Sequence, residues 1–315
     1  MANMTLLDIA RLSAGDDVVG MIEESIQAHP EISLGAARTI SGTGFDSLVR
    51  TALPSVGFRS VNEGVATTKA TYALRRSNTF LVDASSEVDE AMGQASEDGL
   101  DANLATEMSA KVEAAMRSLA SQFYYGTVST VGASSSAASA AKGFPGIVDL
   151  YDTTNMEVDG AGSSGTYTSV WMVKFGPQYV QWLAGQGGLF NVGETKSVRL
   201  TDGSSNPYDG LRKALTFWVG LHSANPRNSM VRIKKLDTSA TLTDAMLDQS
   251  IEKFPGAIVP DVCLMTKRSL RQLKSSRTAT NPTGAPATWP TEVVGLASSR
   301  VPILTTDAIS ETETS

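Results

Sequence analysis

The 315-residue sequence predicts an α+β fold, on the strength of three observations. One long amphipathic pattern, over residues 97–124, indicates a helix. Several segments rich in β-branched and aromatic residues indicate strands. These elements do not alternate regularly as strand and helix, which argues against a parallel α/β sheet. A chain of this length can bury a sizeable core and has room for two domains.

Residues 1–34 are expected to form an N-terminal arm that contains a short helix. Asp16 or Asp17 can accept hydrogen bonds from the first free amides of that helix. His29-Pro30 is expected to end it, because proline has no amide hydrogen and cannot continue a helix. The arm carries six acidic residues and one basic residue, so its net charge is −5.

The next segment, residues 35–82, is predicted to be an extended loop in the form of a β-hairpin. It is rich in Thr, Val and Arg and poor in large apolar side chains. Its strands are predicted at 48–58 and 66–74, with a turn near Asn62. A ribbon of this length, at about 3.3 Å per residue, is too long to fold back on one small domain. We therefore expect it to lie on a neighbouring copy of the chain.

Charge distinguishes this loop from its surroundings. Residues 36–82 carry six basic and two acidic residues, whereas residues 83–125 carry two basic and nine acidic ones. A basic loop beside acidic helices suits contact with the acidic surface of a like subunit, because opposite potentials steer association and fix register. The same charges also suit a solvated hairpin, and the sequence leaves both interpretations open. The predicted subunit-interface residues are Arg38, Arg50, Arg59, Lys69, Arg75, Arg76, Glu97 and Asp101.

The strongest helical pattern runs from Glu97 to Tyr124. Its apolar residues recur every three or four positions, and no proline interrupts them. Acidic residues crowd the first turn, as the helix dipole prefers. The apolar stripe consists of Leu100, Leu104, Met108, Val112, Met116, Leu119 and Phe123. Such a stripe indicates a face that packs in the core.

The remainder of the chain mixes short strands and helices. An Ala- and Ser-rich segment over 127–143 is predicted to be a surface loop. Strands are predicted at 167–175, 214–223, 230–236, 258–265 and 302–305. One helix, capped by Thr241 or Thr243, is expected to run to Lys253, and a basic helix capped by Thr266 is expected to end near Ser276.

Few residues suit catalysis. The chain has two histidines, His29 and His222, and neither stands in a motif for nucleophilic or acid–base chemistry. The single Cys263 lies in an apolar segment, where a buried structural thiol is expected. We therefore predict a protein with no catalytic residues, cofactor or metal. The acidic cluster over 149–159 is interpreted as a solvated turn because its spacing does not fit a calcium loop, but a metal-dependent hydrolase that uses it remains an alternative.

Composition argues against two other classes. No stretch approaches the roughly 18 apolar residues that cross a bilayer, and the N-terminus lacks the features of a signal peptide. A net charge of −7 argues against a dedicated nucleic-acid binder, whose affinity comes largely from clustered Lys and Arg. We expect a protein that matures in a cytoplasm and has no membrane partner.

The order of these segments resembles that of the major capsid proteins of tailed bacteriophages, which have the Hong Kong 97 type of fold. The resemblance covers essentially the whole chain and depends on the succession of short motifs rather than on any one of them. The motifs are Phe123-Tyr124-Tyr125-Gly126, Gly143-Phe144-Pro145-Gly146, residues 169–176, Gly220-Leu221-His222, Val231-Arg232-Ile233 and residues 302–309.

The resemblance implies a division of the chain into named parts. After the N-terminal arm (1–34) and the extended loop (35–82), it implies a peripheral domain with a long spine helix and an axial domain in two pieces. The implied ranges are 83–166 for the peripheral domain, 97–126 for its spine helix, 167–212 and 237–300 for the axial domain, 213–236 for further peripheral-domain strands, and 301–315 for a C-terminal strand and tail.

The resemblance also implies a function. It suggests a major capsid protein whose hexamers and pentamers form an icosahedral shell around double-stranded DNA, in the virion capsid, after assembly in the bacterial host cytoplasm. A separate scaffolding protein is expected because the chain starts directly at the arm, together with a portal, decoration proteins and non-specific contact with the packaged DNA. An encapsulin-like compartment, which shares the fold and holds enzyme cargo, is the alternative.

Overall fold

The computed structural model describes residues 4–13, 29–95, 99–127, 143–256, 258–281, 286–295 and 299–313. The helices are α1 (Leu6–Ser13), α2 (Pro30–Leu34), α3 (Glu90–Ala95), α4 (Gly99–Tyr125), α5 (Ile147–Leu150), α6 (Pro226–Ser229), α7 (Asp244–Glu252) and α8 (Lys267–Thr280). The strands are β1 (Ala37–Thr39), β2 (Gly44–Ala52), β3 (Thr71–Asn78), β4 (Phe80–Asp83), β5 (Ser86–Asp89), β6 (Glu157–Asp159), β7 (Thr168–Val173), β8 (Val180–Ala184), β9 (Asn191–Val192), β10 (Lys196–Thr201), β11 (Pro207–Lys213), β12 (Leu215–Ser223), β13 (Met230–Leu236), β14 (Val262–Met265), β15 (Glu292–Val294) and β16 (Arg300–Thr305).

Two mixed sheets form the body of the protein. The first has the strand order β1-β8-β12-β4, with β9 also paired to β12, and the second has the order β15-β16-β14-β7-β13-β6. Parallel and antiparallel pairs occur in both sheets. Strand β8 is parallel to β1 but antiparallel to β12, and β14 is parallel to β16 but antiparallel to β7. This mixture of helices and sheets without a repeated strand–helix unit confirms the predicted α+β class.

The chain passes back and forth between the two sheets. Strand β7 lies in the second sheet and is followed by β8 in the first, and β12 in the first is followed by β13 in the second. Residues 213–236, expected to supply peripheral-domain strands, therefore contribute to both sheets. The division into peripheral and axial domains stays a prediction.

Helix α4 packs its apolar stripe on the first sheet. The predicted stripe from Leu104 to Phe123 is buried, whereas Leu100 at the start of the helix is only partly covered. The Phe123 ring lies 5.3 Å from the ring of Trp182 on β8. Gly35 is required beside this tryptophan, because a Cβ atom there would stand 2.4 Å from the indole.

A second core lies between the six-stranded sheet and helices α7 and α8. Thr266 caps α8 as predicted, since its hydroxyl accepts a hydrogen bond from the Ser269 amide at 3.2 Å. Thr243 occupies the N-cap position of α7. Cys263 on β14 is fully buried, as expected, and this burial raises the pKa of its thiol.

The strands of the extended loop differ from their predicted positions. Strand β2 ends at Ala52 rather than at residue 58, and β3 begins at Thr71 rather than at residue 66. The ladder stops where Pro54 supplies no amide and where the Ser55 amide is bonded to the Thr68 hydroxyl instead of to a backbone carbonyl. Pairing extends instead toward the root of the loop, as far as Gly44 and Asn78.

Other predictions have mixed outcomes. The predicted strands at 167–175, 214–223, 230–236 and 302–305 are present with small shifts, whereas the strand predicted from residue 258 begins at Val262. The helix expected before His29 and most of the Ala- and Ser-rich segment lie outside the described residues. Pro30 begins helix α2 rather than only ending an earlier one, because the first turn of a helix tolerates proline. Among the described residues, none of the helices combines the length and the apolar character of a membrane span.

Candidate assembly interface

The root of the extended loop is fixed to its own subunit. Ser77 Oγ lies 2.8 Å from Nδ1 of His222 on β12, and the Phe45 ring meets the His222 ring edge-on at 5.0 Å. Arg75 Nη1 donates to the carbonyl oxygen of Ser223 at 3.2 Å. These contacts hold the first part of the ribbon against β12 and set the direction in which the loop leaves the body.

The paired part of the ribbon has two unlike faces. Successive residues of each strand point to opposite sides, and directly opposite residues of an antiparallel pair point to the same side. The inner face, which includes Phe45, Val49 and Arg75, turns toward the body and is partly buried. The outer face is exposed. It is formed by three successive cross-strand pairs, Asp46–Arg76, Leu48–Leu74 and Arg50–Tyr72.

The outer face places an apolar pair between charged ones. Leu48 and Leu74 expose 66% and 69% of their surface, and Tyr72 exposes more than half. Asp46 and Arg76 form a loose ion pair at 3.9 Å. An exposed leucine pair between charged pairs resembles the apolar centre and polar rim of a contact surface.

Beyond the ladder, residues 53–70 continue as an extended tip without regular strand pairing. The tip turns at Ser60, whose carbonyl accepts a hydrogen bond from the Glu63 amide at 3.2 Å. The large apolar side chains of the tip are exposed; they are Leu53, Val56, Phe58, Val61 and Val65. Burial of such side chains is the main source of association energy, so the tip has a strong tendency to be covered.

The six basic residues predicted at the interface fall into two groups. Arg38 is exposed but stacks over the Phe45 ring at 4.6 Å, and the half-buried Arg75 binds Ser223, so both support the root of the loop within one subunit. The others are exposed on the loop; they are Arg50, Arg59, Lys69 and Arg76. Arg59 also donates to the Glu63 carbonyl at the tip.

The two acidic residues predicted at the interface lie near the start of α4. Asp101 is exposed in the first turn of that helix. Glu97 lies outside the described residues. A contact between these carboxylates and the basic loop would join two copies of the chain, so it stays a prediction.

Sequence reasoning missed the apolar character of this surface. The loop is poor in large apolar residues, yet those it has are among the most exposed in the described part of the protein. The signal available in the sequence was the position of Leu48 and Leu74 at matching distances from the turn. The arginines are a stronger signal in the sequence than this leucine pair, but two of them, Arg38 and Arg75, contact the root of the loop in their own subunit.

His222 has unusual electrostatics at the root. It is fully buried and its Nε2 atom has no hydrogen-bond partner among the described residues. Burial, together with the charges of Arg75 and Arg38, lowers the pKa of His222 to about 4. The imidazole is therefore neutral at neutral pH, and a proton would place a third positive charge beside two guanidinium groups.

This depressed pKa predicts an acid-dependent loss of stability. The unfolded chain takes up a proton on His222 near pH 6.5, whereas the folded chain does so only near pH 4. The stability that neutral His222 contributes is full above pH 6.5 and falls progressively as the pH drops from 6.5 to 4. Urea unfolding at pH 7 and pH 5 should show a smaller decline for His222→Gln than for the unchanged protein. Equal declines in both would contradict this assignment.

The acidic cluster near residue 150 is engaged in ion pairs with the body. Asp152 Oδ2 binds Arg227 at 2.7 Å, and hydrogen bonds from the Asn155 and Arg227 side chains help to lower the pKa of Asp152 to about 2. Glu157 Oε1 pairs with Lys234 at 2.5 Å, and Asp159 pairs with Lys235 at 3.3 Å. Within the described part of the chain, acidic, histidine and cysteine side chains form no group that could hold a metal ion.

The C-terminal tail is held by a buried charged cluster. Arg232 Nη2 on β13 binds Glu313 Oε2 at 2.9 Å, and both side chains are largely buried. Glu313 also accepts hydrogen bonds from the hydroxyls of Ser169 on β7 and Tyr125 at the end of α4. Burial and the neighbouring carboxylate raise the pKa of Tyr125. One carboxylate thus joins the tail, the second sheet and the long helix.

Comparison with known proteins gives consistent results. The family model "Major capsid protein GP7" matches residues 36–315. A chain from the structure of bacteriophage Epsilon15 matches with a TM-score of 0.62 and 18% identity, over 88% of this chain and 87% of that one. The bacteriophage JBD30 capsid matches with a TM-score of 0.50 and 10% identity, over 87% and 88%. The SrpI encapsulin of Synechococcus elongatus matches with a TM-score of 0.45 and 8% identity, over 68% and 89%. No curated protein matches the chain in sequence.

Proposed function

The chain belongs to the major capsid protein GP7 family and builds the homo-oligomeric shell of a virion capsid, and on this basis we propose how its subunits are joined. The subunits form hexamers and pentamers of an icosahedral shell that encloses double-stranded DNA. The extended loop of each subunit reaches over a neighbouring subunit, and its tip covers part of that neighbour's acidic arm and of the start of its α4 helix. The protein acts mechanically and has no catalytic role.

The single observation that supports this proposal is the exposed loop tip. Phe58 and the other large apolar residues at the tip contact little of their own subunit. The root, in contrast, is fixed by specific hydrogen bonds to His222 and Ser223. A ribbon that is anchored at one end and apolar at the other can add buried area between subunits, and many such contacts together hold a closed shell.

The proposal is tested by shortening the loop. We expect that replacing residues 53–70 with Asn-Gly abolishes closed particles in negative-stain micrographs while the subunit still folds. Ala52 and Thr71 are directly paired, so the shortened ribbon ends in a two-residue hairpin turn that suits Asn-Gly. The ladder and the root contacts stay intact.

A milder variant serves as a companion. Phe58→Ser keeps the length and the charges of the loop and removes its most exposed apolar side chain. We expect fewer particles from this variant than from the unchanged protein, with the same thermal unfolding temperature for the unassembled subunit. Normal yields of closed particles from the shortened loop would show that the tip does not join subunits.

Further partners follow from the proposed role. A separate scaffolding protein, a portal and decoration proteins would accompany the shell, and assembly would take place in the cytoplasm of a bacterial host. The packaged DNA would be contacted without sequence specificity, because a net charge of −7 limits tight adhesion to a polyanion.

Two alternative functions are less well supported. An encapsulin-like shell would enclose an enzyme in place of DNA, and the contents of purified particles distinguish the two: nuclease-protected DNA supports the capsid. A metal-dependent hydrolase at the acidic cluster is not supported by the structure, because Asp152, Glu157 and Asp159 are each paired with a cation of the same chain.

A further inference from the structure

We propose that the outer faces of two extended loops pack against each other about a two-fold axis, so that the loop of one subunit contacts the same loop of a second copy. This proposal rests on the proposed function, because it assigns one of the contacts that the loop makes within the shell. The paired part of the ribbon makes this contact, and the tip remains free to reach a different neighbour.

The order of residues on the outer face is complementary to itself. Asp46 and Arg76 form the first row, Leu48 and Leu74 the second, and Arg50 and Tyr72 the third. A two-fold axis that lies between the faces and crosses the strands at right angles reverses this order, so the first row of one copy meets the third row of the other. Such a contact is isologous, and every favourable pair in it occurs twice.

This arrangement matches charges and apolar groups. Asp46 faces Arg50 of the second copy, and Arg76 faces the ring of Tyr72 of the second copy, a pairing that cations and aromatic rings favour. Leu48 and Leu74 each meet their own counterpart at the centre. The contact thereby covers the leucine pair that a single subunit leaves in solvent.

The unpaired charge of Arg50 selects this arrangement over the other possible two-fold. Among the described residues, Asp46 already lies 3.9 Å from Arg76, whereas Arg50 has no ion-pair partner. An axis parallel to the strands would set Asp46 against Arg76 again and leave Arg50 without a carboxylate. It would also bring the two bodies to the same end of the ribbons. The perpendicular axis supplies Arg50 with Asp46 and places the bodies at opposite ends.

The contact is too small to hold a dimer alone. Six side chains cover much less than the about 800 Å² per partner of a stable interface. We therefore place it within the assembled shell, where many contacts act together, and the experiment uses assembled particles.

Site-directed cross-linking tests the contact. Cys263 is the single cysteine of the chain and is fully buried, so an introduced thiol would be the accessible one. Two packed sheets lie about 10 Å apart, which is too far for a disulfide, so a short bis-maleimide is the appropriate reagent. We expect Leu48→Cys particles to give a strong dimer band on a denaturing gel.

A matched control lies on the other side of the same ribbon. Ala73 is exposed and pairs with Val49 on the inner face. In the proposed contact the two ribbons separate their Ala73 positions, so Ala73→Cys particles should give at least five-fold less dimer. If Leu48→Cys does not assemble, Leu74→Cys tests the same contact because it also faces its own counterpart. Dimer yields no higher than those of Ala73→Cys would overturn the proposal.

Exchanging the charges of Asp46 and Arg50 tests whether these two residues of different subunits face each other. In the Leu48→Cys chain, Asp46→Arg or Arg50→Asp alone sets like charges against each other and should reduce the dimer yield several-fold, or prevent assembly. The double change Asp46→Arg with Arg50→Asp should restore both the dimer yield and the assembly of particles. Within one chain these residues lie four positions apart on β2, about 13 Å, so restoration cannot arise inside a subunit.

The outcomes separate this inference from the proposed function. Restoration by the double change supports the two-fold contact. If the double change remains as defective as the single ones, the two-fold contact is wrong, even where the shortened loop still prevents shell formation. If the protein with the shortened loop assembles normally, the proposed role of the loop tip is wrong, whatever the result for the two-fold contact.

Discussion

Glu313→Ala is expected to lower the free energy of unfolding of the subunit by about 3–5 kcal/mol, because it leaves the buried guanidinium of Arg232 without its carboxylate. The change also removes the acceptor for Ser169 and Tyr125. Urea unfolding of the unassembled subunit measures the effect. The predicted loss is large because the charge that remains is largely buried and cannot lose its proton.

Two variants make this prediction specific. Glu311→Ala removes an exposed carboxylate of the same tail, which stands 4.0 Å from Arg268, and should change stability by less than about 1 kcal/mol. Arg232→Met combined with Glu313→Leu removes both charges and should be less destabilising than Glu313→Ala alone. A double variant as unstable as the single one would show that lost packing of the tail, and not the unpaired charge, causes the effect.

Trp182→Ala is expected to cost about 3–5 kcal/mol of folding free energy, since it removes a large and fully buried side chain from the main core. The indole packs against Phe123 at 5.3 Å and Phe144 at 5.7 Å, and its Nε1 atom donates to the carbonyl of Glu31 at 3.1 Å. The substitution therefore creates a cavity and frees a buried acceptor. Urea unfolding of the unassembled subunit again provides the measurement.

Trp289 offers a matched control for this substitution. It is 54% exposed and its ring lies 4.3 Å from the Lys274 ammonium group. Trp289→Ala should therefore lower stability by no more than about 1 kcal/mol. Similar losses from the two tryptophan variants would mean that the core near α4 tolerates a cavity, contrary to its close packing.

The long helix could be predicted from the sequence in almost every detail. The spacing of its apolar residues can be recognised from the local sequence alone, because residues three and four positions apart lie on the same face of any helix. The predicted stripe is buried from Leu104 to Phe123. What the stripe contacts, chiefly Trp182 and Phe144, depends on pairing between distant segments and could not be read from the period.

The candidate interface stays a prediction, although the structure shows where each of its described residues lies. The net charge of the loop predicts contact with other subunits, but charge alone could not separate Arg75, which binds its own subunit, from Arg50 and Arg76 on the outer face. Register decides this difference, because neighbouring residues of a strand point to opposite sides. The predicted strands, 48–58 and 66–74, lie too near the tip of the loop.

The cluster around Glu313 could not have been found by sequence reasoning. Its members come from the tail, from β7, from β13 and from the end of α4. No spacing links them, and the tail has the composition of a solvated terminus. Only the fold brings these polar groups together and removes them from water.

Strand β12 connects the ribbon directly to the rest of the subunit. Its last residues, His222 and Ser223, hold the loop root, and the chain then runs through the short helix α6 into β13, which carries Arg232. In the proposed assembly, a force applied to the ribbon by a neighbour would therefore pass along this backbone into the second sheet and the tail. Pressure from within a closed particle would be shared across each subunit rather than borne by one joint.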